Sequence, residues 1–156
     1  MPQSGARSRK KTGKILFIIL AALTVVLTAA FFAYTQDYYH ADETAAALLE
    51  ASPAIETKQN LTILTPDAAN DISVGLIFYP GGKVQETAYL PLLDQLRQNG
   101  LTCVLVKMPL RLAVFNIDAA NDVYAEFPAI SRWYLAGHSL GGAMASSYVE
   151  NNADRL

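Results

Sequence analysis

The sequence predicts an α/β domain, a mostly parallel sheet covered by helices on both faces, with one transmembrane helix ahead of it. Three observations lead there. Three short runs are apolar but for one lysine, Lys107: "VGLIFY" (74–79), "CVLVKM" (103–108) and "WYLA" (133–136). Strands of this kind hide both faces, as parallel strands between two layers of helices do. The intervening segments carry helical spacing instead. Tyr89, Leu92, Leu93 and Leu96 fall at i, i+3, i+4 and i+7, with Pro91 in the first turn and Gly100 as the C-terminal cap. "DAANDVYAEF" (118–127) reads as a second helix after the irregular "PLRLAVFN" (109–116). The order is β-α-β-α-β-α, for which right-handed crossovers are expected.

The third observation is "ILFIILAALTVVLTAAFFAY", Ile15 to Tyr34, twenty residues interrupted only by two threonines. At about 1.5 Å per residue it crosses a hydrocarbon core of roughly 30 Å. Of the twelve basic residues, Arg7, Arg9, Lys10, Lys11 and Lys14 precede the run, whereas all fourteen acids follow Gln36. That asymmetry predicts a cytoplasmic N-terminus and an extracytoplasmic domain on a single-pass protein of the cell membrane. The competing reading, a cleaved signal peptide, fits less well. The run exceeds the roughly 7 to 15 apolar residues of such a peptide, and Thr28-Ala29-Ala30 makes a poor cleavage site.

The expected organisation is a cytoplasmic basic segment (1–14), a transmembrane anchor in contact with the lipid bilayer (15–35), a juxtamembrane helix or stalk (36–58) and an α/β domain (59–156). Within the stalk, "DYYHADETAAALLEASPAI" reads as a short helix with Asp42 and Glu43 in its first turn and Pro53 as its stop. "KQNLTILT" (58–65) alternates as a strand does, and "PDAAND" (66–71) is a turn cluster. Beyond the apolar run, seven basic residues face fourteen acidic ones, a balance of −7 that excludes a broad basic face for nucleic acid. The single cysteine, Cys103, lies in an apolar strand and reads as a buried small hydrophobe.

The chemistry gathers in "WYLAGHSLGGAMASSY" (133–148). Gly137-His138-Ser139-Leu140-Gly141 fits G-x-S-x-G, with a buried strand before it and a helix rich in small residues after it. The motif demands a sharp turn that lifts the serine clear of the sheet in a strained backbone conformation, which leaves no room for side chains at Gly137 and Gly141. A serine at the start of a helix also feels the positive end of the dipole, which favours developing negative charge. A second element lies in "FYPGGKV", a glycine pair at the carboxyl end of the first parallel strand, where open α/β sheets bind ligands. Such a loop can aim a backbone N–H at the same point as the N–H of Leu140. Two such donors make an oxyanion hole, with each worth about 3 to 4 kcal/mol in a transition state. A nucleotide-binding loop is disfavoured, because "GHSLGG" follows the third parallel strand and not the first.

Together these residues resemble the α/β-hydrolase family over residues 59–156, in particular small bacterial members tethered by an N-terminal membrane segment. The resemblance implies an incomplete α/β-hydrolase sheet, Ser139 as nucleophile, and the N–H groups of Leu140 and Gly82 as the oxyanion hole. The family often carries a histidine before the first glycine of that loop. Pro80 stands there instead, which leaves Gly82 and Lys83 as alternatives for the second donor.

A serine needs a base, normally a histidine held by a carboxylate. His40 lies in the stalk and His138 is the variable residue of the motif, so neither is expected in that role. Asp118, Asp122 and Glu126 read as a solvated helix face. The family order, serine then acid then histidine, implies that both partners follow residue 156. An apolar strand left at a sheet edge points the same way. The expectation is therefore the N-terminal part of a longer esterase-like or lipase-like enzyme, inactive as this chain alone. It would act on a small-molecule ester or related acyl substrate, with no cofactor, metal or nucleic acid. "LRLAVF" (110–115) is the candidate lining for the acyl group. The alternative is a non-catalytic, membrane-anchored binding module on the same fold.

Overall fold

A computed structural model describes residues 4–67 and 74–155; positions 68–71 of the predicted turn cluster and Ser73, which opens the alternating region, lie outside the described residues. The chain divides after Asp37 into two bodies. The first is helix α1 (Ser4–Gln36), of which Gly13–Gln36, 24 residues, is long and apolar enough to cross a membrane. Two of its hydroxyls are satisfied locally. Thr24 Oγ1 donates to the carbonyl of Leu20 at 2.9 Å and Thr35 Oγ1 to that of Phe32 at 2.8 Å, so neither side chain needs water.

The second body begins at Tyr38 and is built on five strands: β1 (Ile55–Lys58), β2 (Leu61–Leu64), β3 (Val74–Tyr79), β4 (Thr102–Val106) and β5 (Arg132–Gly137). They lie in the order β1-β2-β4-β3-β5. β2 is antiparallel to both β1 and β4, and β3 is parallel to β4 and β5, so only β2 runs against the rest. The expected mostly parallel sheet is present. Its edge hairpin was not fully foreseen: "KQNLTILT" is split by Gln59, in left-handed backbone at φ 55°, and Ile55–Lys58 forms a strand where a stalk was expected. Nor does α2 (Glu43–Ala51) stand apart, since Leu48 and Leu49 pack on the sheet. Asp42 precedes this helix as its cap, accepting from the Ala45 N–H at 2.9 Å.

Alternation along the strands divides the core into two layers. Leu76 and Phe78 of β3 and Cys103 and Leu105 of β4 face α2 and helix α3 (Leu90–Gln98), with Leu90 and Leu93 fully buried. Ile77, Tyr79, Val104 and Val106 face helices α4 (Ala120–Glu126) and α5 (Leu140–Asn152), joined by Trp133, Ala145 and Tyr148. Leu92, expected on the buried stripe of α3, is instead 50% exposed. The buried face takes Asp94 and Arg97 beside Leu90 and Leu93. Arg97 Nε donates to Asp94 at 2.6 Å and its Nη1 to Asp67 at 2.7 Å. The hydrogen bond to Asp94 is the main reason that the guanidinium is held above its ordinary pKa. Gly100 ends the helix as expected, at φ 93°.

Crossing direction explains why the helices part. The chain passes from β3 to its neighbour β4 through α3, then from β4 back across β3 to β5 through α4. Two crossovers of one hand that run in opposite directions must place their helices on opposite faces. The hydroxyl of Tyr79 ties the second layer down. It donates to the Ile117 carbonyl at 2.8 Å and accepts from the Ala120 N–H at 2.8 Å, and burial raises the phenol well above its usual pKa.

Two outcomes follow from this core. Tyr79→Phe strands the Ile117 carbonyl and the Ala120 N–H and is expected to cost about 2 kcal/mol in urea unfolding; an unchanged midpoint would show that other partners replace the hydroxyl. Burial pushes the Cys103 thiol up to about 12. At pH 8 the native protein should therefore resist iodoacetamide and react only once unfolded; rapid native alkylation, read by mass spectrometry, would contradict this.

Candidate active site

Neighbouring strands β3 and β5 send their chains to opposite faces, β3 toward α3 and β5 into α5. Their carboxyl ends therefore flank a crevice, the place where an open α/β sheet binds its ligand. One wall is Tyr79-Pro80-Gly81-Gly82-Lys83, and the other is Gly137-His138-Ser139-Leu140.

The second wall is a strand that becomes a helix within two residues. The His138 N–H donates to the Tyr79 carbonyl at 3.1 Å, which continues the β3–β5 pairing to its last possible bond. Ser139 then takes φ 50°, ψ −119°. A residue with a Cβ occupies such backbone at a cost of about 1 to 3 kcal/mol, and only where its surroundings impose it. They do so here. The Gly141 N–H returns to the His138 carbonyl at 2.9 Å and the Ala143 N–H to the Ser139 carbonyl at 3.0 Å. A Cβ on Gly141 would sit 2.3 Å from the carbonyl oxygens of both Tyr79 and Pro80, and one on Gly137 would sit 2.6 Å from Gly141 C and Gly142 N. Helix and strand thus touch through bare backbone, and the serine between them is exposed.

Backbone donors in the opposite wall are almost all engaged. The Gly81 N–H donates to Tyr89 Oη at 3.0 Å, that of Lys83 to the Arg111 carbonyl at 3.0 Å, and that of Val84 to the Gly81 carbonyl at 3.3 Å. Among the described residues, the Gly82 N–H makes no hydrogen bond, nor does that of Leu140 in the first turn of α5. These two residues are neighbours: a Cβ on Gly82 would come within 3.0 Å of Leu140 Cδ2. Of the two alternatives from the sequence, the Lys83 N–H is engaged by the Arg111 carbonyl and the Gly82 N–H is not.

The loop is braced from outside by residues the sequence placed in the stalk. The Tyr39 N–H donates to the Lys83 carbonyl and the Gln85 N–H to the Tyr39 carbonyl, both at 2.8 Å, and the Ala41 N–H reaches Gln85 Oε1 at 3.1 Å. Arg111, in left-handed backbone beside Leu110, sets its guanidinium 3.4 Å from the Tyr38 ring centre.

Both histidine rings have partners other than the serine. The His40 ring lies 4.2 Å from that of Tyr38, and His138 Nδ1 lies 2.8 Å from Tyr89 Oη. Ser139 Oγ makes no hydrogen bond among the described residues. Asp118, Asp122 and Glu126 are exposed as expected, Glu126 paired with Lys58 of β1. No cluster of three or more histidine, cysteine or acidic side chains able to hold a metal occurs among the described residues. Reasoning from sequence missed Tyr89, which was counted in an apolar stripe; its spacing from Gly81 and His138 carries no one-dimensional signal.

A strained serine turn between a parallel strand and a tightly apposed helix, with a glycine loop across the switch point, defines a class of α/β proteins that display one side chain at the sheet's carboxyl edge. The alpha/beta hydrolase family model matches residues 75–156, and the chain belongs to that family. No curated protein matches it.

The contact at Gly141 is directly testable. Gly141→Ala drives a Cβ into two carbonyl oxygens and is expected to cost about 3 kcal/mol. A urea midpoint equal to that of the wild type would show that α5 can stand off the strand without penalty.

Proposed function

We propose that the protein is a membrane-anchored serine hydrolase that cleaves an ester or related acyl bond outside the cytoplasmic membrane, with Ser139 as nucleophile. The observation that carries the reading is the exposed Ser139 at φ 50°, beside two unpaired N–H groups on adjacent residues, Leu140 and Gly82. Membrane attachment is supported by the helix Gly13–Gln36 and by the basic residues that precede Ile15.

In this reading a base takes the Ser139 proton as Oγ attacks the substrate carbonyl. His138 and His40 do not serve, since each ring is held elsewhere. The carbonyl oxygen becomes an oxyanion, and the Leu140 and Gly82 N–H groups receive it. Each such donor lowers a barrier of this kind by about 3 kcal/mol when it is already aimed, because nothing has to reorganise as the charge appears. The N-terminus of the 13-residue α5 adds its positive end. Collapse expels the alcohol or thiol, and water releases the acyl group from Ser139. The acyl portion of a small-molecule substrate would lie along 110–115. Leu112 lies against the loop, with its Cδ2 3.6 Å from where a Gly82 Cβ would be. No step calls for a metal or cofactor.

Labelling of the full-length protein with a fluorophosphonate probe tests this. Covalent modification of the wild type and none of Ser139→Ala is the expected result. Well-folded wild-type protein that stays unlabelled would favour the non-catalytic binding module instead.

A further inference from the structure

Gly82 offers its N–H on the peptide that links it to Gly81, and both flanking residues lack a Cβ. Rotation of such a peptide meets little steric resistance. A half-turn would exchange the positions of the Gly82 N–H and the Gly81 carbonyl, replacing a donor by an acceptor. Something must hold the plane. On one side the Gly81 carbonyl accepts from the Val84 N–H, but at 3.3 Å this is a long bond. The other restraint comes from outside the loop: the Gly81 N–H donates to Tyr89 Oη at 3.0 Å, and that oxygen lies 2.8 Å from His138 Nδ1.

We infer that Tyr89 and His138 are positioning residues that clamp the Gly81-Gly82 peptide with its N–H toward Ser139. The hydroxyl accepts from Gly81, and a second hydrogen bond ties the same oxygen to Nδ1, with the donor in that bond set by the imidazole tautomer. Each partner is itself fixed. The Tyr89 ring packs on Phe78 of β3 with centroids 4.8 Å apart, and the His138 backbone is bonded to the Tyr79 carbonyl. Gly81 is fitted to this clamp, since a Cβ there would lie 2.7 Å from His138 Nδ1 and 2.9 Å from Tyr89 Oη. The residue directly before the serine is thereby tied to the residue directly before the free donor. This gives His138 a role that needs no proton transfer.

The inference rests on the hydrolase reading for its purpose, not for its geometry, and the test separates the two. In full-length protein with ¹⁵N-labelled glycine, Tyr89→Phe should speed hydrogen exchange of the Gly81 amide about tenfold or more relative to the other glycines, with an unchanged unfolding midpoint. The rate of fluorophosphonate labelling at Ser139 should fall about tenfold or more. His138→Ala should behave the same way, and His138→Asn, which keeps a polar atom near the Nδ1 position, should recover most of both effects. If Gly81 exchange in Tyr89→Phe matches the wild type, the clamp is wrong, whatever the labelling shows. If exchange accelerates while wild-type protein never labels, the clamp stands and the hydrolase reading falls.

Discussion

The arrangement depends on how closely one helix approaches one strand end. The carbonyl of Tyr79 is met by the His138 N–H at 3.1 Å and by Gly141 so tightly that a Cβ would stand 2.3 Å away. With α5 pressed against β3 at that point, the chain leaving β5 has two residues in which to reverse its direction. Ser139 takes a conformation that costs about 1 to 3 kcal/mol and cannot relax out of it. Tyr79 secures the opposite end of the same contact through its hydroxyl, which binds the start of α4. One residue at the end of β3 thus joins both the elbow and the helical layer beneath it.

Hydrogen-bond accounting then explains why the site has its polarity. Buried or half-buried backbone donors in proteins are nearly always used. In the loop after β3, Gly81 serves a side chain, Lys83 serves Arg111, and Val84 serves the loop itself. Leu140 falls in the first turn of a helix, where geometry leaves N–H groups without carbonyl partners. The two unused donors therefore arise for different reasons, one from helix termination and one from the way its neighbours are bonded. Their proximity comes from the sheet, because β3 and β5 are adjacent and end level at the pair Tyr79 and Gly137.

Much of this was legible in the sequence, and the parts that were not share a physical cause. Two of the three parallel strands, β3 and β4, announce themselves because burial on both faces excludes polar residues, and the elbow does so because close backbone contact tolerates only glycine; β5, expected to be buried on both faces, lies at the sheet edge with Tyr134 54% exposed. Both constraints act at single positions on residue type. The edge strand Ile55–Lys58 carries no such mark: three of its four residues are exposed, as an edge permits. Leu92 was misassigned since a helix that buries the ion pair Asp94–Arg97 breaks the simple apolar stripe. Tyr89 and His138 were read by class, as an apolar surface and a variable motif position. Their connection is made by the fold across 49 residues. That the Lys83 N–H is engaged and the Gly82 N–H is not depends on the same kind of information, namely where the carbonyl of Arg111 lies.

The least expected element is the segment that leaves the apolar helix. Gln36 ends α1, and by Tyr39 the chain is already paired with Val84 as a parallel bridge. Three hydrogen bonds join Tyr39 and Ala41 to Lys83 and Gln85, and Arg111 closes over Tyr38 from the next loop. A spacer would be free of such contacts, since its purpose is to vary its reach. This segment adds a strand-like edge to the loop that presents the Gly82 N–H. The glycine loop is thus gripped on one side by Tyr89 and His138 and on the other by the residues that follow the helix. Glycines lack the stiffness to hold a donor in place by themselves. That stiffness is supplied by parts of the chain distant in sequence.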